Sequence, residues 1–227
     1  METMKHQRIE GDGWLALLGG GEFSFGETQE ADQAWLAKTP PGTVGFVPAA
    51  SGSTDYGENL AEYLDEVFDR ELEVIPVYRP RDSRRGRNCQ RVDESAAVYL
   101  GGGLSGQLVE ALRSSAAEDR LRRKLAEKDG VVVAIAAAAQ ALGEWYRSLK
   151  GDTFEEGLRW LPQGVVEANF NPAHDRRFRQ LMGRPGVRWG LGIPPGSAVL
   201  LGPEGQFETV GTVFGLRDSD DDFAVLE

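Results

Sequence analysis

Four apolar runs of strand length each end in a turn of small residues. Trp14–Leu18 runs into Gly19-Gly20-Gly21, and residues 44–48 run into Ala49-Ala50-Ser51-Gly52. Residues 96–100 run into Gly101-Gly102-Gly103, and Val131–Ile135 runs into four alanines, 136–139. Stretches of helical length separate them, at 27–38, 55–70, 105–114 and 118–128. On 55–70, Leu60, Tyr63, Leu64, Val67 and Phe68 recur at helical spacing, behind a capping Ser53 or Thr54. Residues 72–77 supply one further strand. Alternating strands and helices argue for a parallel sheet covered on both faces. Strands that are apolar without alternation fit burial on both sides. The expectation is a flavodoxin-like three-layer α/β sandwich, with residues 1–227 as one domain. A chain of this length buries about 70% of its unfolded surface and needs no metal or disulfide to hold its core.

The remaining segments read as follows. Residues 79–91 form a polar loop holding Arg79, Arg81, Arg84, Arg85, Arg87 and Arg91. Residues 136–145 continue the last apolar run as a helix. After Lys150, glycine and proline become frequent, and short apolar runs appear at 165–166, 199–201, 207–210 and 213–216. These read as antiparallel strands finishing the same domain, with Pro203-Glu204-Gly205 as a hairpin turn. Residues 218–222 form a solvated acidic patch. No repeat and no linker divides the chain.

Charge and composition exclude several functions. The formal charge is −11, so the surface repels phosphate backbones and anionic membranes. Residues 131–139, the longest apolar run, are too few to span a bilayer. The polar first residues show no signal peptide, and a lone Cys89 forms no internal disulfide, so a reducing cytoplasm is expected. Two histidines, His6 and His174, and one cysteine cannot build a four-ligand zinc site.

In an open α/β sheet, ligands bind beyond the carboxyl ends of the strands. The four small-residue turns all fall there. Their backbone N–H groups are suited to an oxyanion or a carboxylate.

The order of these motifs resembles the dipeptidase E and cyanophycinase family of serine peptidases, within the class I glutamine amidotransferase-like fold. The residues that carry the resemblance are Gly19-Gly20-Gly21-Glu22, Val47-Pro48-Ala49-Ala50-Ser51-Gly52, Tyr99-Leu100-Gly101-Gly102-Gly103, the segment 131–142, Leu161-Pro162, Glu167-Ala168-Asn169-Phe170 and the arginine-rich stretch 175–181. The resemblance implies a nucleophilic serine on a strained strand-to-helix turn, with glycines flanking it. Here Ala137 is expected at the nucleophile position, and Ile135 and Ala139 where the glycines would stand. A histidine before phenylalanine would be the base, and that pair reads Asn169-Phe170. Asp152, Glu155 and Glu156 are candidates for the acid. Gly102, Gly103 and Ala138 are expected to supply oxyanion-hole N–H groups.

The implied function is that of a catalytically deficient homologue. Its strand-end pocket would bind a peptide or acidic amino-acid ligand, or serve as a scaffold, without metal or cofactor and as a candidate homodimer. The alternative is an active hydrolase with a rearranged site, Ser105 or Ser51 with His174. Ser105 and Ser51 otherwise cap or close turns, His174 starts a helix at the surface, and His6 lies in the polar tail. Arginines near Cys89 would lower its thiol pKa. The arginine segment itself is either a solvated strip paired with the protein's own carboxylates or a gate for an acidic ligand or partner.

Overall fold

Val131–Ile135 has no polar side chain and is buried on both faces, and it forms β5 near the middle of the main sheet. The structure is a computed structural model that describes residues 8–51, 55–148 and 153–226. Around β5 the first half of the chain lays down β1 (Trp14–Leu18), α1 (Gln29–Leu36), β2 (Val44–Val47), α2 (Asp55–Phe68), β3 (Leu72–Val74), α3 (Gly86–Glu94), β4 (Ala97–Leu100), α4 (Ser105–Leu112) and α5 (Ala116–Ala126). After β5 come α6 (Ala137–Ala141), β6 (Trp145–Arg147), β7 (Phe154–Glu156), β8 (Gly164–Ala168), α7 (Arg176–Met182), β9 (Trp189–Ile193), β10 (Ala198–Leu201), β11 (Phe207–Val210), β12 (Val213–Arg217) and β13 (Ala224–Leu226).

The main sheet has the order β11-β10-β1-β5-β4-β2-β3. Strands β1 to β5 pair in parallel, and β10 and β11 close one edge antiparallel. Alternate residues divide the core. Ala16, Leu18, Phe46, Tyr99 and Val133 face α1 and α2, which bring Trp35, Leu60 and Leu64. Leu15, Leu17, Leu100, Val132 and Ala134 face the opposite side, where Leu108, Leu112 and Leu121 of α4 and α5 pack. This is the expected single α/β domain with a mainly parallel sheet. Among the described residues, no helix is long and apolar enough to cross a membrane.

Several expectations are corrected. The later strands do not all join the main sheet. Residues 199–201 and 207–210 do, as β10 and β11. The runs at 165–166 and 213–216 belong to a second sheet, β13-β12-β9-β8, in which β8 and β9 are parallel. The helix expected over 136–145 stops at Ala141, and Trp145 already begins the β6/β7 hairpin. Residues 79–91 are not all loop, because α3 begins at Gly86. The turn at Pro203-Glu204-Gly205 joins β10 to β11 as expected, with Gly202 N–H donating to the Gln206 carbonyl. His6, Ser53, Thr54 and Asp152 lie outside the described residues.

Candidate functional site

The turn from β5 into α6 is the most strained point of the site. Ala136 has φ 51° and ψ −114°, a conformation that costs a residue bearing a Cβ about 1–3 kcal/mol. Its N–H donates to the Leu18 carbonyl at 2.9 Å, and its carbonyl accepts from Gln140 N–H at 3.1 Å. Ala134 and Ala138 flank it, both fully buried, and their small size lets the chain reverse so sharply. The tip of the elbow is therefore Ala136, one residue before the expected Ala137, which is the first residue of α6. The small flanking positions are Ala134 and Ala138 rather than Ile135 and Ala139. The first N–H beyond the tip is that of Ala137, not that of Ala138. Four alanines in a row carry no register of their own, so only the backbone angles identify the tip.

The glycine turn after β4 packs against this elbow. Gly101 N–H donates to the Val47 carbonyl at 3.0 Å, and Leu104 N–H to the Ala50 carbonyl at 2.8 Å. Gly103 has φ 135°, and a Cβ there would lie 2.3 Å from the Ala50 carbonyl oxygen, so no side chain fits. A Cβ on Gly102 would stand 3.6 Å from the Ala136 Cβ, which puts that backbone beside the tip. Ser105 is buried, and its hydroxyl donates to the Ala137 carbonyl at 2.9 Å, pinning α4 to α6. The Ser51 hydroxyl donates to the Pro48 carbonyl at 3.2 Å, within its own turn.

Asn169 arrives from the second sheet, immediately after β8. It also has positive φ, 51°, a region that Asn tolerates better than most residues. Its N–H donates to the Gly19 carbonyl at 2.7 Å. Its carboxamide covers Gly20 so closely that a Cβ there would come within 2.4 Å of Oδ1. Ala136, Ala137, Gly103, Ser105 and Asn169 line one cleft of about 1280 Å³. Gly102, Ala138, Ser51 and His174 are not among its lining residues. His174 sits in a short exposed turn before α7.

The opposite wall is the β6/β7 hairpin. The Tyr146 hydroxyl donates to Glu155 Oε2 at 2.6 Å. Burial pushes the Tyr146 phenol above its ordinary pKa, and the bond to Glu155 adds to this. Glu156 pairs with Arg159 at 3.0 Å, and Arg113 binds the Glu156 and Gly157 carbonyls. Of the acid candidates, Glu155 and Glu156 thus stand in the cleft wall. Glu167, two residues before Asn169 on β8, was not singled out from the sequence. Burial pushes its carboxyl up to about 7, against the pull of Arg177 and Arg147. The available signal was an acid inside an apolar run, on the same strand face as Val165. Among the described residues, no group of three or more His, Cys, Asp or Glu side chains is placed to hold a metal ion.

The arginine segment lies outside the cleft. Tyr78 and Arg79 N–H groups donate to buried Asp82 at 3.3 and 3.2 Å, and Asn88 Nδ2 donates to the Pro76 and Asp82 carbonyls. Arg81 and Arg85 approach Asp82, and Arg91 pairs with Glu73 at 2.9 Å. Cys89 is buried, and burial pushes its thiol up, outweighing Arg120 and Arg123. The expected lowering by neighbouring arginines is therefore reversed.

A sequence model described as peptidase family S51 matches residues 15–201. Among solved structures, a peptidase from an acI-B1 Actinobacterium is similar in fold, with a TM-score of 0.77 over 96% of each chain and 20% sequence identity. No curated protein matches the chain.

Proposed function

The chain belongs to peptidase family S51, and from that premise we propose that it is a catalytically deficient member whose cleft binds a peptide or acidic amino-acid ligand without hydrolysing it. The observation that carries this reading is Ala136. The strained tip that would present a nucleophile presents a methyl group. A serine needs both a hydroxyl and a base to take its proton. Asn169, the residue expected at the base position, has an amide that takes up no proton near neutral pH. Losing either partner of such a pair costs on the order of 10⁶ in turnover.

Among the described residues, the hydroxyls and the histidine of the rearranged enzyme are not brought together. The hydroxyls of Ser105 and Ser51 are engaged with backbone carbonyls, and His174 is not a cleft residue. Binding does not need the missing side chains, because the backbone at Gly102, Gly103 and Ala137 still surrounds the tip. Treatment with a fluorophosphonate probe tests the reading, since an activated serine attacks its phosphorus, displaces fluoride and becomes phosphonylated. We expect no labelled serine by mass spectrometry of the unmodified protein. Stoichiometric labelling at Ser105, Ser51 or any other serine would overturn the proposal.

A further inference from the structure

Residues 79–91 hold six arginines and one acid, Asp82, on a chain whose formal charge is −11. Arg79, Arg81, Arg84, Arg85 and Arg87 are exposed. Other arginines are set against the protein's own carboxylates, Arg120 with Asp93, Arg122 with Glu118 and Arg188 with Asp218. Between residues 79 and 87 carboxylates are too few for that. Asp82 is buried and already receives the Tyr78 and Arg79 N–H groups. Arg81 and Arg85 approach it only to 3.8 and 3.5 Å. Among the described residues, the guanidinium groups of Arg79, Arg84 and Arg87 have no ion pair and no hydrogen bond.

Like charges gathered this closely repel one another, and one buried carboxylate offsets them only in part. The helix α3 carries no acid in its first turn, so its positive end adds to the field of the arginines. The backbone beneath is held in place. Ser83 Oγ donates to the Pro80 carbonyl at 2.8 Å, and Asn88 Nδ2 donates to the Pro76 and Asp82 carbonyls. A positive surface on a fixed backbone loses little chain entropy when a partner binds.

Charge and geometry narrow the kind of partner. Guanidinium groups take carboxylates and phosphates through forked, charge-assisted hydrogen bonds. The rest of the chain is more negative than the total of −11, because this segment is itself positive. A nucleic acid or an anionic bilayer extends past the segment and meets that negative surround. A short acidic peptide does not. We propose that the exposed arginine surface between Arg79 and Arg87 is a docking site for an aspartate- or glutamate-rich segment of a partner protein. The surface shares no residue with the cleft, so the proposal is independent of the ligand-binding reading.

The probe is dye-labelled hexaglutamate, titrated against the full chain by fluorescence anisotropy at about 20 and about 150 mM salt, with hexaglutamine as the neutral control. Wild type should bind hexaglutamate and not hexaglutamine. Affinity should fall severalfold at the higher salt, where the screening length is about 8 Å. Arg84→Gln/Arg87→Gln should weaken binding about tenfold, the order that two exposed ion pairs supply. Arg176→Gln/Arg188→Gln removes the same charge at exposed positions elsewhere and should bind as wild type does. All four positions are exposed, so circular dichroism should show both variants folded. Absence of hexaglutamate binding, or equal losses from the two double variants, would overturn the site. Binding unchanged by Arg84→Gln/Arg87→Gln would put the peptide elsewhere, the cleft included, and overturn it as well. A short DNA duplex or phosphatidylserine vesicles binding more tightly than hexaglutamate, and released by the same variant, would assign the surface to a phosphate-bearing partner and overturn the acidic-segment proposal.

Discussion

Ala136 keeps φ 51° and ψ −114° with only a methyl group to present. The strain is sustained by its surroundings, chiefly the bond to Leu18 and the buried alanines on either side. Glycine adopts such a conformation without penalty, so Ala136→Gly should stabilise the protein. Relief of strain is worth about 1–3 kcal/mol. The added freedom of the unfolded chain costs about 0.4–1 kcal/mol, and the lost methyl contact a few tenths more. The first term wins, and a gain of about 1 kcal/mol should raise the melting temperature by roughly 2–4 °C in a chain of this size. Thermal unfolding of the two proteins decides the matter, and a less stable Ala136→Gly would show that the strain estimate is wrong. The same residue marks what sequence could resolve in the site. The strand, the small-residue turn and the helix after it were legible from composition and order. The tip was not, because alanines at 136, 137, 138 and 139 are interchangeable to any pattern argument. Asn169 was singled out from the sequence, and the fold brings it to the cleft. Glu167 was not, since its character comes from burial and from arginines on β6 and α7 that only the folded chain brings near.

Among the elements, the segment around α3 shows how a polar sequence acquires a fixed structure. Its helix buries only Asn88, Cys89 and Val92, a face too small and too polar to stand out from the surrounding arginines. Fixation comes from hydrogen bonds. Asp82 receives two backbone N–H groups, and Asn88 closes two carbonyls from the turn that precedes the helix. Asn88→Ala removes both bonds and leaves the Pro76 carbonyl without its donor, while the Asp82 carbonyl keeps the Arg85 N–H. A buried polar group left without a partner costs about 1–3 kcal/mol, so a loss of about 2 kcal/mol is expected in urea unfolding. Arg87→Ala, at an exposed position one residue away, should stay within about 0.5 kcal/mol of wild type. Equal losses from the two substitutions would mean that the arginine surface, not the buried amide, holds the segment. The strands of the second sheet were hidden for a different reason. In β9, Trp189–Ile193, Gly190 and Gly192 give the run the texture of a turn, yet the space beside each is filled by the ring of Phe178 or Phe170. A partner that fills the place of a missing side chain leaves no trace in the strand's own sequence.

In the whole molecule, the cleft is a joint product of two sheets. The elbow stands at the end of β5 in the first, and Asn169 follows β8 in the second. The Asn169 N–H closes the gap by donating to Gly19, beyond the end of β1. The first sheet was legible because its strands are apolar throughout and follow one another through helices. The second was legible only as scattered short runs, because its pairing joins segments far apart in the chain, β8 with β9 and β9 with β12. The spatial relation of Ala136 and Asn169, the positions proposed for nucleophile and base, is therefore set by how the sheets pack. Restoring the two residues tests that relation. Ala136→Ser alone should not react with a fluorophosphonate, since a hydroxyl without a base stays protonated. Asn169→His alone should not react either, having no nucleophile to serve. The histidine is compatible with its backbone, because His shares the tolerance of Asn for positive φ. The residues flanking the tip, Ala134 and Ala138, are both small. The double variant should label slowly but at least about tenfold faster than either single one, the low end of what a positioned base supplies. Labelling should map to residue 136 and fall as pH drops through the histidine range. A double variant as inert as the singles, with its fold intact by circular dichroism, would show that the two sheets do not hold these positions in catalytic register.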